Sequence, residues 1–503
     1  MERSQPTTCV CRHCDTSLLV CSRASHRALE ATVNVAVIGT GRVGVVTCVA
    51  CASLGHNVVG TDVDVAKIEQ LQRGIPHFFE PGLQGALSAE IAAGRLSFTV
   101  NPAEAIGQGE VVFICVGTPA RADGRANLLA VELAVREIAR YAMDGALVVE
   151  KSTVPAGTID KVRQTLRREG DGRQVHVGSN PEFLREGLAL QDALEPERIV
   201  LGVESDLSRE LLERLYEPLI HRGVRVIVTD IRTAELAKHA SNAFLATKIS
   251  FANALARVCE LTGADVEAVA DVMGSDPRIG RAFLNAGLGY GGYCLPKDVA
   301  ALERLAARLG YSFGILKEVE HVNEEAVEVL AARVEESVWN LEGKRIAVLG
   351  LAFKPDTDDV RSSPSLVLAE RLLRSGAEVI AYDPKAADEA VTEVPELRIA
   401  DDPYEAAAGA HCLVVATDWE EFRALDLGTL KQVMAQPVVV DGRNLFDPLE
   451  MDAAGFWYYP TGRPPVVQHA KAARSDASSS SSGRERRPAL AGGARYRGEA
   501  PWS

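Results

Sequence analysis

No run of apolar residues in the 503-residue chain approaches the roughly 18 needed to cross a bilayer as a helix. The first thirty residues are broken by Arg12, His13, Asp15, Arg23, His26 and Arg27, so neither a membrane span nor a leader is expected. Basic excess is also missing. The net charge is −15, whereas a binder of phosphate polymers presents a basic face, so nucleic acid is excluded as a partner. Any phosphate bound should be a discrete, locally caged one. Paired metal-ligand spacing is lacking too: Cys9, Cys11, Cys14 and Cys21 cluster before the first strand with no matching second ligand pair, and no metal is expected. That cluster is read as part of an unstructured extension over 1–31. Cys48, Cys51, Cys115, Cys259 and Cys412 lie in apolar segments and read as small buried hydrophobes. What remains is ordinary globular composition, 47% hydrophobic and 24% charged, at a length that suits two or three domains of a cytoplasmic protein.

The pattern along the chain is α/β. Residues 33–38 form a β-branched run that ends in a glycine-rich turn and opens a helical stretch, 43–54. Apolar runs at 57–60, 111–116, 146–149 and 199–203, separated by helical patterns, predict a parallel doubly wound sheet. The first domain is placed at 32–215. From Thr233 to Thr262 a long helix is expected, with Leu236, Ala240, Phe244, Phe251, Leu255 and Val258 at near-helical spacing, long enough to connect domains or pair two subunits. A further helix, Pro296 to Leu309, carries Val299, Leu302, Leu305 and Leu309 on one stripe before Gly310. These define a central helical domain at 216–329. Strand-like runs from Lys344 onward predict a second α/β domain at 330–466. After it, a Ser/Arg/Gly/Ala-rich tail at 467–503 reads as disordered.

Two places carry chemistry. Gly39-Thr-Gly41-Arg42-Val43-Gly44, after a strand and opening a helix, matches the dinucleotide fingerprint, whose glycines bring backbone against a pyrophosphate at a helix N-terminus. Asp62, at the end of the second strand, stands where a carboxylate accepts from the adenine ribose and repels a 2′-phosphate, which favours NAD over NADP. Lys67, one helical turn on, is a candidate for the same ribose or phosphate. At the other place, Gly287-Leu-Gly-Tyr290-Gly291-Gly292 precedes Tyr293-Cys294-Leu-Pro-Lys297-Asp298 and a helix. So many glycines expect something to come close. The helix dipole and Lys297 are expected to favour the Cys294 thiolate, which makes it a candidate nucleophile.

Several motifs in one order resemble the UDP-glucose/GDP-mannose dehydrogenase family over about 33–460. They are Gly-x-Gly-x-Val-Gly at 39–44, Gly-Thr-Pro at 117–119, Lys-Ser-Thr-Val-Pro-x-Gly-Thr at 151–158 and Asn-Pro-Glu-Phe-Leu-Arg-Glu-Gly at 180–187. Glu-Leu-Ala-Lys with Asn242, the Cys-x-Pro-Lys-Asp segment, and Gly-Leu-Ala-Phe-Lys-x-Asp-Thr-Asp-Asp-x-Arg at 350–361 complete the set.

The resemblance implies an NAD-dependent, four-electron oxidation of a nucleotide sugar at C6, through a thiohemiacetal and a thioester on Cys294. UDP-glucose is the first expectation, and GDP-mannose or a UDP-N-acetyl-hexosamine the alternatives. It implies that Thr153 and Glu182 handle proton and water, that Thr118, Glu186 and Arg361 lie along the cofactor, and that Asp298 orients the hydrolytic water. Lys238 and Asn242, four apart and turned from the Leu236 stripe, would stabilise the oxyanions. Positions matching substrate contacts are Phe183, Leu184, Tyr290 and Gly291, then Phe353, Lys354 and Arg443 in the second α/β domain, which lacks the dinucleotide glycines. Arg278 would reach the substrate from the neighbouring subunit of a homodimer. Tyr293 stands where serine is more usual, Leu295 where phenylalanine is, and Asn285 where animal enzymes carry lysine. A two-electron hydroxyacid-type dehydrogenase would need neither Cys294 nor a second nucleotide domain. A catalytically silent nucleotide-sugar-binding regulator would not need the Cys294, Lys238 and Asp298 set.

Overall fold

The computed structural model describes residues 32–121 and 123–467; the N-terminal cysteine cluster and the tail from 468 lie outside the described residues. The first sheet contains β1 (Asn34–Ile38), β2 (Asn57–Thr61), β3 (Leu96–Thr99), β4 (Val111–Ile114), β5 (Leu147–Glu150), β6 (His176–Ser179), β7 (Arg198–Val203) and β8 (Arg225–Thr229). Their order is β3-β2-β1-β4-β5-β6-β7-β8, parallel at the switch between β1 and β4 and antiparallel between β6 and β7. β4 and β5 are buried at every position, because helices cover both faces of the sheet. The order reverses at β1 and β4, which opens a crevice at the carboxyl ends of these strands.

The sheet runs to Thr229, beyond the boundary expected at 215, because β8 pairs with β7. Neither β3, β6 nor β8 was legible in the sequence. β3 and β8 are short edge strands, and β6 (His-Val-Gly-Ser) carries one apolar side chain.

A 32-residue helix, Ile231–Thr262, leaves this sheet; Asp230 caps it by accepting from Thr233 N, and Gly263 ends it at φ +76°. It packs against helices Cys294–Arg308 and Gly314–Val338. Its buried face is made of small and polar residues, including Ala234, Lys238, Asn242, Ala246 and Ala256. The apolar stripe of this helix faces out: Phe244 is 66% exposed, Phe251 54% and Val258 53%. In the second stripe, Val299, Leu302 and Leu305 are buried, but Leu309 lies past the last turn, 76% exposed.

The second sheet contains β9 (Arg345–Leu349), β10 (Glu378–Tyr382), β11 (Arg398–Ile399), β12 (Cys412–Val415), β13 (Val438–Asp441) and β14 (Trp457–Pro460), in the order β11-β10-β9-β12-β13-β14. The segment after β9 straps this domain to the first. Asp358 accepts from Arg42 Nη2 at 2.5 Å and from Phe79 N at 2.6 Å, and Lys354 donates to the Glu186 carbonyl.

The tightest backbone approach is in the glycine-rich turn. Gly39 takes φ +92°, and a Cβ on Gly44 would stand 1.9 Å from the Gly39 carbonyl oxygen. A backbone atom cannot rotate away as a side chain can. Gly44→Ala is therefore expected to lower stability by about 3 kcal/mol, read as the urea midpoint of the purified chain. An unchanged midpoint would show that the turn has room to relax.

Candidate active site

Cys294 is the first residue of its helix, with Tyr293 at the cap position. It opens onto a cavity of about 560 Å³ lined by the loop after β6, the long helix, the glycine-rich segment and the strap after β9. Of the expected residues, the cavity collects Cys294, Lys238, Asn242, Glu182, Phe183, Leu184, Glu186, Gly291, Phe353 and Lys354.

Its floor is ionic. Lys238 Nζ stands 2.9 Å from Glu182 Oε1, with both side chains buried. Against the cost of burial, Glu182, Cys294 and Asp298 raise the Lys238 pKa above its ordinary value, so the ammonium persists. Glu182 Oε2 accepts from Leu184 N at 2.7 Å, which fixes the loop. Asn242 Nδ2 donates to Asp298 Oδ2 and Lys297 Nζ to Asp298 Oδ1, each at 2.6 Å. Asp298 is fully buried, yet Lys297, His239 and Lys238 hold its carboxyl below the usual range. It sits one layer behind the cavity wall, where it orients Asn242.

The electrostatics of Cys294 differ from expectation. Burial, and after it Glu182, pushes its thiol up to about 12, and Lys238 opposes this. Lys297 is turned to Asp298 and lies over the Tyr293 ring at 5.4 Å. The resting side chain is a thiol, because removal from water outweighs the helix end and the nearby cations.

The glycines have a different reason too. A Cβ on Gly292, at φ +77°, would meet the Phe353 ring at 2.8 Å, and one on Gly291 would meet the Ser362 carbonyl at 2.3 Å. What comes close is the strap of the second α/β domain. The Tyr290 side chain is not at the cavity. It is 6% exposed and packs among Ala243, Val299, Leu302 and Val319, while Asn323 grips its backbone. Arg443 does not line the cavity either; it donates to the carbonyls of Ala416 and Phe353, so it braces the Phe353 backbone. Arg278 pairs with Asp276 and its side chain is 87% exposed, away from the cavity of its own chain.

On the first sheet's crevice, Asp62 Oδ2 accepts from Thr40 N and Oγ1, and Oδ1 accepts from Asp64 N, so this carboxylate also shapes the glycine turn. Nothing lies within 4 Å of where a Cβ on Gly41 would stand, and the buried Arg42 Nη1 has no partner. Val43, in the first turn of the helix that starts there, packs against the core of the first domain. An open backbone face, a spare guanidinium N–H and a helix N-terminus fit a dinucleotide pyrophosphate. Lys67 stands 3.8 Å from Asp64. Thr118 Oγ1 donates to the Thr153 carbonyl, which joins the two loops at the carboxyl ends of β4 and β5. Arg361 is doubly bound to Asp359, 3.7 Å from Glu186 and stacked on Tyr293 at 4.4 Å.

Three residues of this region had escaped notice. Lys151 Nζ is buried against Asn180 Oδ1 at 2.9 Å, and Tyr216 reaches the same oxygen. His239 lies behind Asp298. Lys151 stands inside the 151–158 motif and His239 beside Lys238; position next to a motif was the only signal.

Three family models match in order: the UDP-glucose/GDP-mannose dehydrogenase family NAD binding domain at 33–220, its central domain at 232–325 and its UDP binding domain at 347–448. The chain is 42% identical over 436 residues to the UDP-glucose 6-dehydrogenase YwqF of Bacillus subtilis, covering 86% of this chain and 98% of that one. It is 44% identical over 435 residues to a UDP-glucose 6-dehydrogenase of Rhizobium meliloti, covering 86% and 100%. Among solved structures, a UDP-glucose dehydrogenase from Pyrobaculum islandicum superposes with a TM-score of 0.80 at 39% identity, covering 88% of this chain and 100% of that one.

Glu186 supplies a test of this electrostatic picture. Burial, then Asp359, raises its carboxyl from 4.5 to about 8, and its Oε2 has no partner. The folded chain therefore binds this proton more tightly than the unfolded chain does. The stability it brings is complete below about pH 4.5 and is lost as pH rises through about 8. Glu186→Gln, uncharged throughout, should gain in urea midpoint over the parent as pH goes from 5.5 to 8.5. A gap that stays constant with pH would contradict the assignment.

Proposed function

Because the chain belongs to the UDP-glucose/GDP-mannose dehydrogenase family, we propose that it oxidises UDP-glucose at C6 to UDP-glucuronate, with Cys294 as covalent nucleophile. It is an NAD-dependent oxidoreductase of nucleotide sugars. The observation that carries the reading is the meeting, in one cavity, of a helix-terminal cysteine with the Lys238–Glu182 pair and Asn242.

NAD, when bound, accepts one hydride in each of two rounds; Gly39, Gly41, Arg42, Gly44 and Asp62 would hold it. An alcohol must lose four electrons to become an acid, so the aldehyde level has to be crossed without releasing the intermediate. Cys294 Sγ adds to the C6 aldehyde and gives a thiohemiacetal. Its oxidation leaves a thioester, and water breaks the C–S bond to give the carboxylate. The sum is one alcohol, one water and two NAD to one carboxylate, two NADH and three protons. Lys238 places positive charge beside the oxyanion of each tetrahedral stage. Asn242, whose Nδ2 donates one hydrogen to Asp298, would have its second amide hydrogen for the same oxyanion. Glu182 and Thr153 are assigned the proton and water traffic, and Glu186, Thr118 and Arg361 the cofactor side. Phe353, Lys354, Phe183 and Leu184 form the wall assigned to the nucleotide sugar.

Association as a homodimer is part of this reading. The long helix bares Leu236, Phe244, Phe251, Val258 and Leu261 along one side, an apolar face of the kind that a second subunit covers. Arg278, exposed in its own chain, would then serve the neighbour. Phe244→Asp combined with Phe251→Asp should move the chain to monomer mass in light scattering, and an unchanged mass would place the interface elsewhere. The substrates are metabolites of the cytoplasm, where the reaction is assigned.

Cys294→Ala should lower uronic acid formation by about 10³-fold or more while both substrates still bind. The measurement is acid yield and NADH per sugar, with binding followed by calorimetry. Two NADH per sugar at near-parent rate would remove the thiol from the reaction.

A further inference from the structure

His239 is a buried titratable group to which the scheme above gives no task. It follows Lys238 on the long helix and is 1% exposed. Its Nε2 lies 2.9 Å from the Val154 carbonyl oxygen, in the loop after β5. A carbonyl oxygen only accepts, so Nε2 carries the ring proton and Nδ1 of the neutral ring is a bare lone pair. That nitrogen has no hydrogen-bond partner and stands 3.8 Å from Asp298 Oδ1. Two acceptors thus face each other across a buried gap. One added proton would turn them into an imidazolium–carboxylate pair.

The charges around the gap overlap with those around Cys294. From the helix of Cys294, Asp298 and Lys297 face the ring, and from its own helix Lys238 does; the loop after β5 presents the Val154 carbonyl. Cys294 lies one helical turn before Asp298 and is faced by Glu182, Lys238, Asp298, Glu186 and Arg361. Burial holds His239 below its ordinary range and pushes the thiol up, so neither changes charge alone near neutrality. In this cluster Glu182 is matched by Lys238 and Asp298 by Lys297. A lone thiolate or a lone imidazolium would break that balance in a dry site. Moving one proton from sulfur to the ring preserves it.

We propose that His239 is a positioning residue that acts through Asp298 to receive the proton leaving the Cys294 thiol. The S–H bond breaks with its electron pair left on sulfur, and an N–H bond forms at Nδ1; no oxidant or reductant is involved. The premise is the assignment of Cys294 as nucleophile under the proposed function. The consequence is that thiolate forms near neutral pH only when a neutral His239 is present.

The test is the rate of Cys294 alkylation by iodoacetamide between pH 6 and 10, without substrate or NAD, followed by peptide mass mapping. The chains compared are the parent, His239→Phe and His239→Gln, each checked for fold by circular dichroism. Gln keeps a donor for the Val154 carbonyl but cannot titrate. Both variants should react at least 10-fold more slowly than the parent at pH 7.5 and approach its rate near pH 10. A folded variant that reacts at the parent rate at pH 7.5 overturns the proposal. So does an equal loss at pH 7.5 and pH 10, which would report access to the thiol and not its proton. If the Phe variant fails to fold, the Gln variant decides. Thiol reactivity is read here without turnover, so this failure is distinct from an active Cys294→Ala, which would sink the nucleophile assignment alone.

Discussion

A charged carboxylate can lie buried at the floor of a cavity only with a cation and hydrogen bonds around it. Here two such pairs, Glu182 with Lys238 and Asp298 with Lys297, stand within one cluster. Glu182 comes from the loop after β6, Lys238 from the long helix, and Asp298 and Lys297 from the helix of Cys294. The Glu182–Lys238 pair ties the loop to the long helix, and the Asn242–Asp298 hydrogen bond ties the long helix to that of Cys294. Asn242, gripped by Asp298, is oriented by the same network. Removing one member of such a pair strands its partner, at a cost of about 3–5 kcal/mol. The catalytic geometry and the local fold thus rest on the same few contacts.

The second constraint is closure between the sheets. The strap after β9 reaches the first domain through Asp358, bound to Arg42 and the Phe79 amide, and through Lys354 on the Glu186 carbonyl. The same strap presents Phe353 to Gly292, where any side chain on the glycine would collide with the ring. Arg42 belongs to the dinucleotide turn and Gly292 to the nucleophile loop. One segment of the second α/β domain therefore braces the cofactor end and the reactive end together, and placement of either depends on the domains being closed.

The elements with a local cause were legible in the sequence. The fingerprint at 39–44 needs a strand, a turn and a helix within a dozen residues, and each has its own residue signature. The buried cysteines in apolar runs and the apolar strands β4 and β5 are of the same kind. What escaped has a non-local cause. β8 (Arg-Val-Ile-Val-Thr) is an edge strand that exists through its pairing with β7. The buried face of the long helix includes Lys238, Asn242 and small residues, which no apolar periodicity marks. Tyr290, in a loop of glycines, looked like a contact for a ligand and is core.

The acidity of Cys294 shows why residue type and helix position were insufficient. A helix N-terminus is worth about 0.3–1 kcal/mol at an exposed site, and each pKa unit corresponds to about 1.4 kcal/mol. A thiol pushed up by burial from 9.0 to about 12 stands beyond what the dipole alone can offset. Lys297, the ammonium nearest in sequence, is committed to Asp298, while Lys238, more than fifty positions earlier, acts on the sulfur. Lys238 is in turn bound to Glu182, whose charge pushes the thiol up. The environment therefore nearly cancels itself and leaves desolvation in command. Such a sulfur stays protonated, and inert towards oxidants and electrophiles, until its proton has somewhere to go that leaves the cluster's charge unchanged. Control of the nucleophile lies in that acceptor more than in the helix on which the cysteine sits.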